Sequence, residues 1–222
     1  MNPARAHYQR VVAAMATSTA VDEPHPAHAS QYELMLMKLA GDRRRLKQVQ
    51  SMEGKAEVKR QLLPDYAPWV EGVLQGDSGA QDDVLMTVML WRIDAGDYMG
   101  ALDIGDYAIR HGLTMPDQYQ RSTATTLAEE IADAARRARD GKAAFDIEVL
   151  VRIQHLTVEQ DMHDPVRAKL LKELGLALEQ AGHYPHAVDC LARAMQLYDK
   201  VGVKKDIERI ERAIRNTAAT GS

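Results

Sequence analysis

Apolar residues recur in this chain at intervals of three and four positions, segment after segment, with Gly or Pro between the segments. That spacing commits the chain to amphipathic helices, because a period near 3.6 residues is what brings such positions onto one face. Tyr32, Met35, Leu36, Leu39 and Leu46 form one stripe, Leu127, Ile131, Ala135 and Ala138 another, and Ile207, Ile210 and Ile214 a third. Composition agrees: eleven Met stand against one Phe and two Trp, and Ala, Leu and Met suit helices better than strands. The expected fold class is all-α.

Local signals divide the chain further. Residues 2–16 read as a short helix on Tyr8, Val11, Val12 and Met15, and Thr17 to Ser30, rich in Thr, Ser, His and Pro, as a linker. Together they predict an N-terminal arm, residues 1–29, that orders on a partner. Ser30 with Glu33 three positions later has the form of a capping box, opening a helix to about Gln50. A second helix is expected from Gly54 to Leu63, closed by Pro64, with Pro64 and Pro68 bracketing a turn. Gly76-Asp77-Ser78-Gly79 breaks the chain, and a helix restarts at Asp82, where two Asp suit the positive end of the helix dipole. Its Val84, Leu85, Val88, Met89 and Trp91 spread around the helix and predict core. Further helices are expected over Tyr98–His111, around Leu127–Ala138, over Asp146–Leu156 and over Val203–Asn216.

One arrangement occurs twice. Gly96-Asp97-Tyr98 is followed by Ala101 and Ala108, and Gly182-His183-Tyr184 by Ala187 and Ala194 at the same spacing. Gly ends a first helix, Tyr covers the turn, and small Ala residues let the second helix approach closely. The later copy, with Leu171, Leu174 and Gly175 before it, resembles a tetratricopeptide helical hairpin. The copies are not consecutive, so no regular solenoid is expected.

The net charge of -4 is unevenly placed. Residues 1–63 hold ten Lys and Arg against six Asp and Glu, residues 64–160 hold eight against seventeen, and residues 161–222 ten against nine. The division expected is therefore an arm over 1–29, a basic helical pair for DNA binding or oligomerisation over 30–63, a central acidic helical region over 64–160 and a C-terminal hairpin with the last helix over 161–216. Within the basic pair, Arg43, Arg44, Arg45, Lys47, Lys55, Lys59 and Arg60 are the candidate phosphate-facing residues, with Arg able to fork onto phosphate or guanine edges. The plain alternative is a solvated face. The group Lys204, Lys205, Arg209, Arg212 and Arg215 is interleaved with Asp206, Glu208 and Glu211 and is a weaker candidate.

Signatures of catalysis do not accumulate. Gly54-Lys55-Ala56 and Gly141-Lys142-Ala143 lack the earlier Gly and the following Ser or Thr of a P-loop. Glu57-Val58-Lys59 followed by Pro64-Asp65 reverses the usual order of a nuclease signature. Asp82 and Asp83 fit a helix start, and Asp94 and Asp97 a helix end or turn. The pairs His25 with His28 and His183 with His186 fall short of a zinc site in ligand type and count, and Cys190, the single cysteine, suits a small core position in a reducing compartment. No catalytic residue, metal or cofactor is expected. No apolar run approaches a membrane span, and a soluble protein is expected.

Read as a string, Leu62-Leu63-Pro64, Pro68-Trp69-Val70 and the run Gly79-Ala80-Gln81-Asp82-Asp83-Val84-Leu85-Met86-Thr87-Val88-Met89-Leu90-Trp91-Arg92 are distinctive. With Gly100-Ala101-Leu102, Tyr107-Ala108, Gly112-Leu113-Thr114-Met115-Pro116, Lys38-Leu39-Ala40, Val166-Arg167-Ala168-Lys169 and Val203-Lys204-Lys205, they make the chain resemble the P2-like phage terminase small subunit, also called its endonuclease subunit. The resemblance implies recognition of phage DNA at the cohesive-end region, assembly as a homo-oligomeric ring and association with an ATPase-nuclease large subunit that cuts the DNA and packages it into procapsids, all in the host-cell cytoplasm. It also implies a Lys/Arg-rich tail, whereas this sequence ends Ala218-Ala219-Thr220-Gly221-Ser222. Two other function classes stay open on the residues alone: a nuclease subunit with its own metal site, and a helical adaptor that binds only protein.

Overall fold

In a computed structural model, residues 3–18, 26–116 and 121–220 are described, with side chains over 3–15, 31–116 and 121–216. Among them there are ten α-helices and no strand. The chain forms two compact units, Met1–Thr123 and Ala124–Ser222.

The first unit contains α1 (Pro3–Ser18), α2 (Pro26–Gln48), α3 (Met52–Gly76), α4 (Asp83–Ala95) and α5 (Tyr98–Arg110). Its centre is α4, whose residues Val84 to Trp91 are all buried. A helix apolar all round has to be covered on every side, and α2, α3 and α5 pack on it. Asp82 caps α4: its carboxylate accepts from the Leu85 amide at 2.9 Å and from Trp69 Nε1 at 2.8 Å. Burial pushes the Asp82 carboxyl above the usual range, against the pull of those two donors. Tyr32 stacks on Trp69 with ring centroids 6.0 Å apart, and its hydroxyl accepts from the Asp83 amide. Burial raises the Tyr32 phenol to about 12.

Three sequence expectations change here. Pro64 does not close a helix, and no turn separates it from Pro68: α3 runs through both. Each internal Pro costs roughly 3 kcal/mol. The continuous helix buries Leu62, Tyr66, Trp69, Val70 and Val73, at about 1.5–3 kcal/mol apiece, which outweighs that cost. Ser30 is not an N-cap, because α2 already begins at Pro26; Pro suits the first turn, where its missing N–H is no loss. The linker reading for residues 19–25 lies outside the described residues. Finally, α1 is not an arm awaiting a partner. It packs on α3 with Val12 and Ala13 buried, and Arg10 pairs with Glu71 at 3.3 Å. Gly72 makes this possible, since a Cβ there would stand 2.2 Å from the Arg10 carbonyl oxygen.

The second unit contains α6 (Thr123–Asp140), α7 (Ile147–Thr157), α8 (Asp164–Gln180), α9 (Tyr184–Leu197), a 3-10 turn at Asp199–Val201 and α10 (Lys204–Thr220). Helices α8 and α9 form the hairpin read from the sequence. Gly182 adopts φ 80°, as Gly96 adopts 87° in the earlier copy, and Ala187 and Ala194 are fully buried, as are Ala101 and Ala108. Gly175 sits under Leu191, whose Cγ lies 2.7 Å from where a Cβ would be. Glu173, buried, receives a forked bond from Arg139 at 2.9 and 3.2 Å, which joins α6 to α8.

Candidate nucleic-acid interface

Four of the seven cations singled out from the sequence line one groove. Arg43 and Lys47 lie four residues apart on α2, and Lys55 and Lys59 four apart on α3, so each pair projects from one face of its helix. The third wall is α4, with Thr87, Leu90, Trp91 and Asp94. The groove encloses about 410 Å³. The α2 and α3 walls carry the cations, and Leu46, Leu90 and Trp91, each less than a tenth exposed, add an apolar part to the lining.

The cations are held differently. Arg43 donates from Nη2 to Thr87 Oγ1 at 2.7 Å, and the Thr87 hydroxyl donates in turn to the Asp83 carbonyl at 2.7 Å. Arg43 continues the stripe from Leu39 to Leu46, which is why it turns inward rather than to solvent. Lys59 pairs with Asp94, so the one carboxylate in the groove is neutralised. Among the described residues no carboxylate pairs with Arg43, Lys47 or Lys55. Three positive charges therefore remain available there to an anion.

Arg44, Arg45 and Arg60 are exposed and do not line the groove. Arg45 reaches Gln61 Oε1 at 3.5 Å, Arg60 pairs with Glu57 and donates to the Ala95 carbonyl at 3.2 Å, and Arg44 has no partner among the described residues. The α4 side of the groove is absent from the sequence reading. Thr87, Trp91 and Asp94 share a helical face, but the apolar spread of α4 marked the whole helix as core.

The groove is anchored from behind. Tyr66 on α3 donates its hydroxyl to Asp42 Oδ2 on α2 at 2.7 Å, Lys38 reaches the same oxygen at 2.7 Å, and the Trp91 ring meets Tyr66 edge-on at 5.7 Å. Burial and the neighbouring Asp42 hold the Tyr66 phenol well above its usual range, so it stays a donor at any ordinary pH.

The other sequence candidates are placed as follows. Asp82 and Asp97 cap α4 and α5. His183 and His186 are exposed at the α8–α9 turn, while the side chains of His25 and His28 lie outside the described residues. Among the described residues no group of three or more His, Cys, Asp or Glu is placed to hold a metal ion. On the last helix, Arg209 is taken up by Glu179 and Asp206. No described helix is long and apolar enough to cross a membrane.

Among the described residues, these features define an all-helical protein with helical hairpins and a basic groove between α2, α3 and α4. Comparison with known proteins makes the class specific. The family model for the phage small terminase subunit matches residues 36–165. The chain is 50% identical over 215 residues to the terminase, endonuclease subunit of Escherichia phage P2, covering 96% of this chain and 86% of that one. It is 23% identical over 208 residues to the probable terminase, endonuclease subunit of Haemophilus phage HP1, covering 87% and 74%. No solved structure matches. The chain belongs to the phage small terminase subunit family, and its place is in phage genome packaging.

Proposed function

We propose that this chain is the DNA-recognition subunit of its terminase. It binds the cohesive-end region of the phage DNA through the cations of α2 and α3, and directs the ATPase-nuclease large subunit to cut that DNA and load it into procapsids in the host cytoplasm. The observation that carries the reading is the convergence of Arg43, Lys47, Lys55 and Lys59 on one groove, with Arg44, Arg45 and Arg60 beside it. Cations that no carboxylate holds gain most from a phosphate, and each phosphate neutralised releases a condensed counterion.

The relatives are named endonuclease subunits; for this chain we assign the cutting to the complex and ATP hydrolysis to the large subunit, since the sequence has no P-loop. Purified chain is expected to retain a cohesive-end fragment at low salt, and to cut it only after the large subunit is added. Mg²⁺-dependent nicking by the purified chain alone would show a catalytic nuclease subunit instead. Failure to retain DNA at low salt would leave the adaptor reading.

A homo-oligomer, ring-like as in the family, is part of this proposal. The apolar faces of residues 30–50 and 82–91 look larger in the sequence than one short chain can cover, yet Met35, Leu39, Leu46 and the α4 face are buried within the unit. What stays open is a different surface, Leu34 at 55% and Met37 at 70% exposure on α2 with Tyr8 at 55% on α1, and it supports the assembly. Sedimentation at micromolar concentration is expected to show an assembly, and a monomer alone contradicts it.

A further inference from the structure

We infer that Asp94 is the residue that sets how strongly this groove holds DNA of any sequence. Its carboxylate takes the place of a backbone phosphate on Lys59, and so withholds one of the four groove cations from DNA. The inference rests on the DNA-recognition reading above and concerns the discrimination exercised by that same site.

A Lys ammonium is a compact point charge, and a carboxylate and a phosphate compete for it. Lys47 and Lys55 have no carboxylate partner among the described residues, whereas Lys59 meets Asp94 from α4. The two side chains are 13% and 34% exposed, so the pair is screened less than an ordinary surface pair and a phosphate has to displace Asp94 to reach Lys59. Arg60, the next residue on α3, donates to the Ala95 carbonyl at 3.2 Å, which ties this part of α3 to the end of α4 and keeps Lys59 opposite Asp94.

Asp94 does nothing for its own helix. It stands in the last turn of α4, where the negative end of the helix dipole disfavours a carboxylate. The helix is closed without it: Gly96 takes the left-handed conformation, and the amides of Gly96 and Asp97 bond back to the carbonyls of Ile93 and Arg92. Among the described residues the Asp94 side chain has no partner except Lys59. Its position is accounted for by the charge it places in the groove. Sequence-independent binding is carried by phosphate contacts, each with its released counterions. A groove cation held back therefore lowers retention on DNA at large, and gives contacts to base edges a greater share of the affinity.

The test compares the full-length wild type with Asp94→Asn, which keeps the shape and removes the charge. The melting temperature is expected to stay close to that of the wild type, because loss of the ion pair is offset by relief of the carboxylate at the helix end. On a random-sequence duplex, Asp94→Asn is expected to bind at least ~3-fold tighter at low salt, with a slope of log affinity against log salt steeper by roughly 0.9 for each subunit engaged. Lysine acetylation read by mass spectrometry locates the gain: the duplex is expected to protect Lys47 and Lys55 in both proteins, and Lys59 only in Asp94→Asn. Equal affinities and slopes overturn the inference, as does equal protection of Lys59 in the two proteins. Tighter binding that leaves Lys59 unprotected in the variant also overturns it, being a long-range charge effect with no new contact. Each of these outcomes leaves the recognition reading in place. If neither protein retains a cohesive-end fragment or a random duplex at low salt, the recognition reading fails and takes the inference with it.

Discussion

At the scale of single residues, Asp82 is the position where capping, burial and titration meet. Removing it takes the acceptor from the Leu85 amide and leaves buried Trp69 Nε1 without a partner, so Asp82→Ala should cost about 2–4 kcal/mol in urea unfolding. The pH dependence has a definite sign. A carboxyl raised in the folded state contributes its stability fully below its unfolded value, near about 4, and loses it as pH rises through the folded value. Asp82→Asn keeps a cap acceptor and does not titrate. The stability of the wild type relative to that variant should therefore fall as pH is raised from about 4, and a difference constant with pH contradicts the burial argument. Gly72 makes a second test. In an exposed helix, Gly→Ala stabilises by roughly 1 kcal/mol. Here the new Cβ meets the Arg10 backbone, so Gly72→Ala should instead loosen α1, read as faster amide exchange over residues 3–18.

At the scale of elements, the α8–α9 hairpin was legible because its signals are local: Gly at a left-handed turn, Ala at the helix contact, Leu191 between them. Ala187→Leu should cost about 1–3 kcal/mol by overpacking, and an unchanged melting temperature would refute the contact. Helices α4 and α5 and the helix starts at Asp82 and Asp146 were legible for the same reason, whereas Asp97, read with Asp94 at a helix end, instead caps the start of α5. What the sequence hid was decided by distant partners. Pro64 and Pro68 carry a local stop signal that is overridden by burying Tyr66 and Trp69 against α2 and α4. The docking of α1 depends on Gly72, which lies some sixty residues away and reads as an ordinary helix Gly. The groove was half legible: its cations stand out as a charge excess, but Leu90 and Trp91 look like core, and core is what most of their surface is.

At the scale of the whole molecule, family membership gives the role in packaging, and the groove supplies a physical reason for assigning DNA contact to α2 and α3. The overall charge of -4 conceals this, because the acidic residues of 64–160 outweigh a local excess that is structurally concentrated. The repeated subunit of an assembly would multiply that local excess along one DNA. The decisive measurement is the salt dependence of binding to a cohesive-end fragment with its single-stranded end intact, compared between wild type and Arg44→Ala, Arg45→Ala, Lys47→Ala, Lys55→Ala combined. These four have no carboxylate partner among the described residues, so the melting temperature should hold nearly constant. The variant should bind more weakly at low salt, and its slope of log affinity against log salt should be shallower by roughly 0.7–0.9 for each lost phosphate contact. Equal affinities and equal slopes in a folded variant would contradict the account and move the DNA site away from α2 and α3.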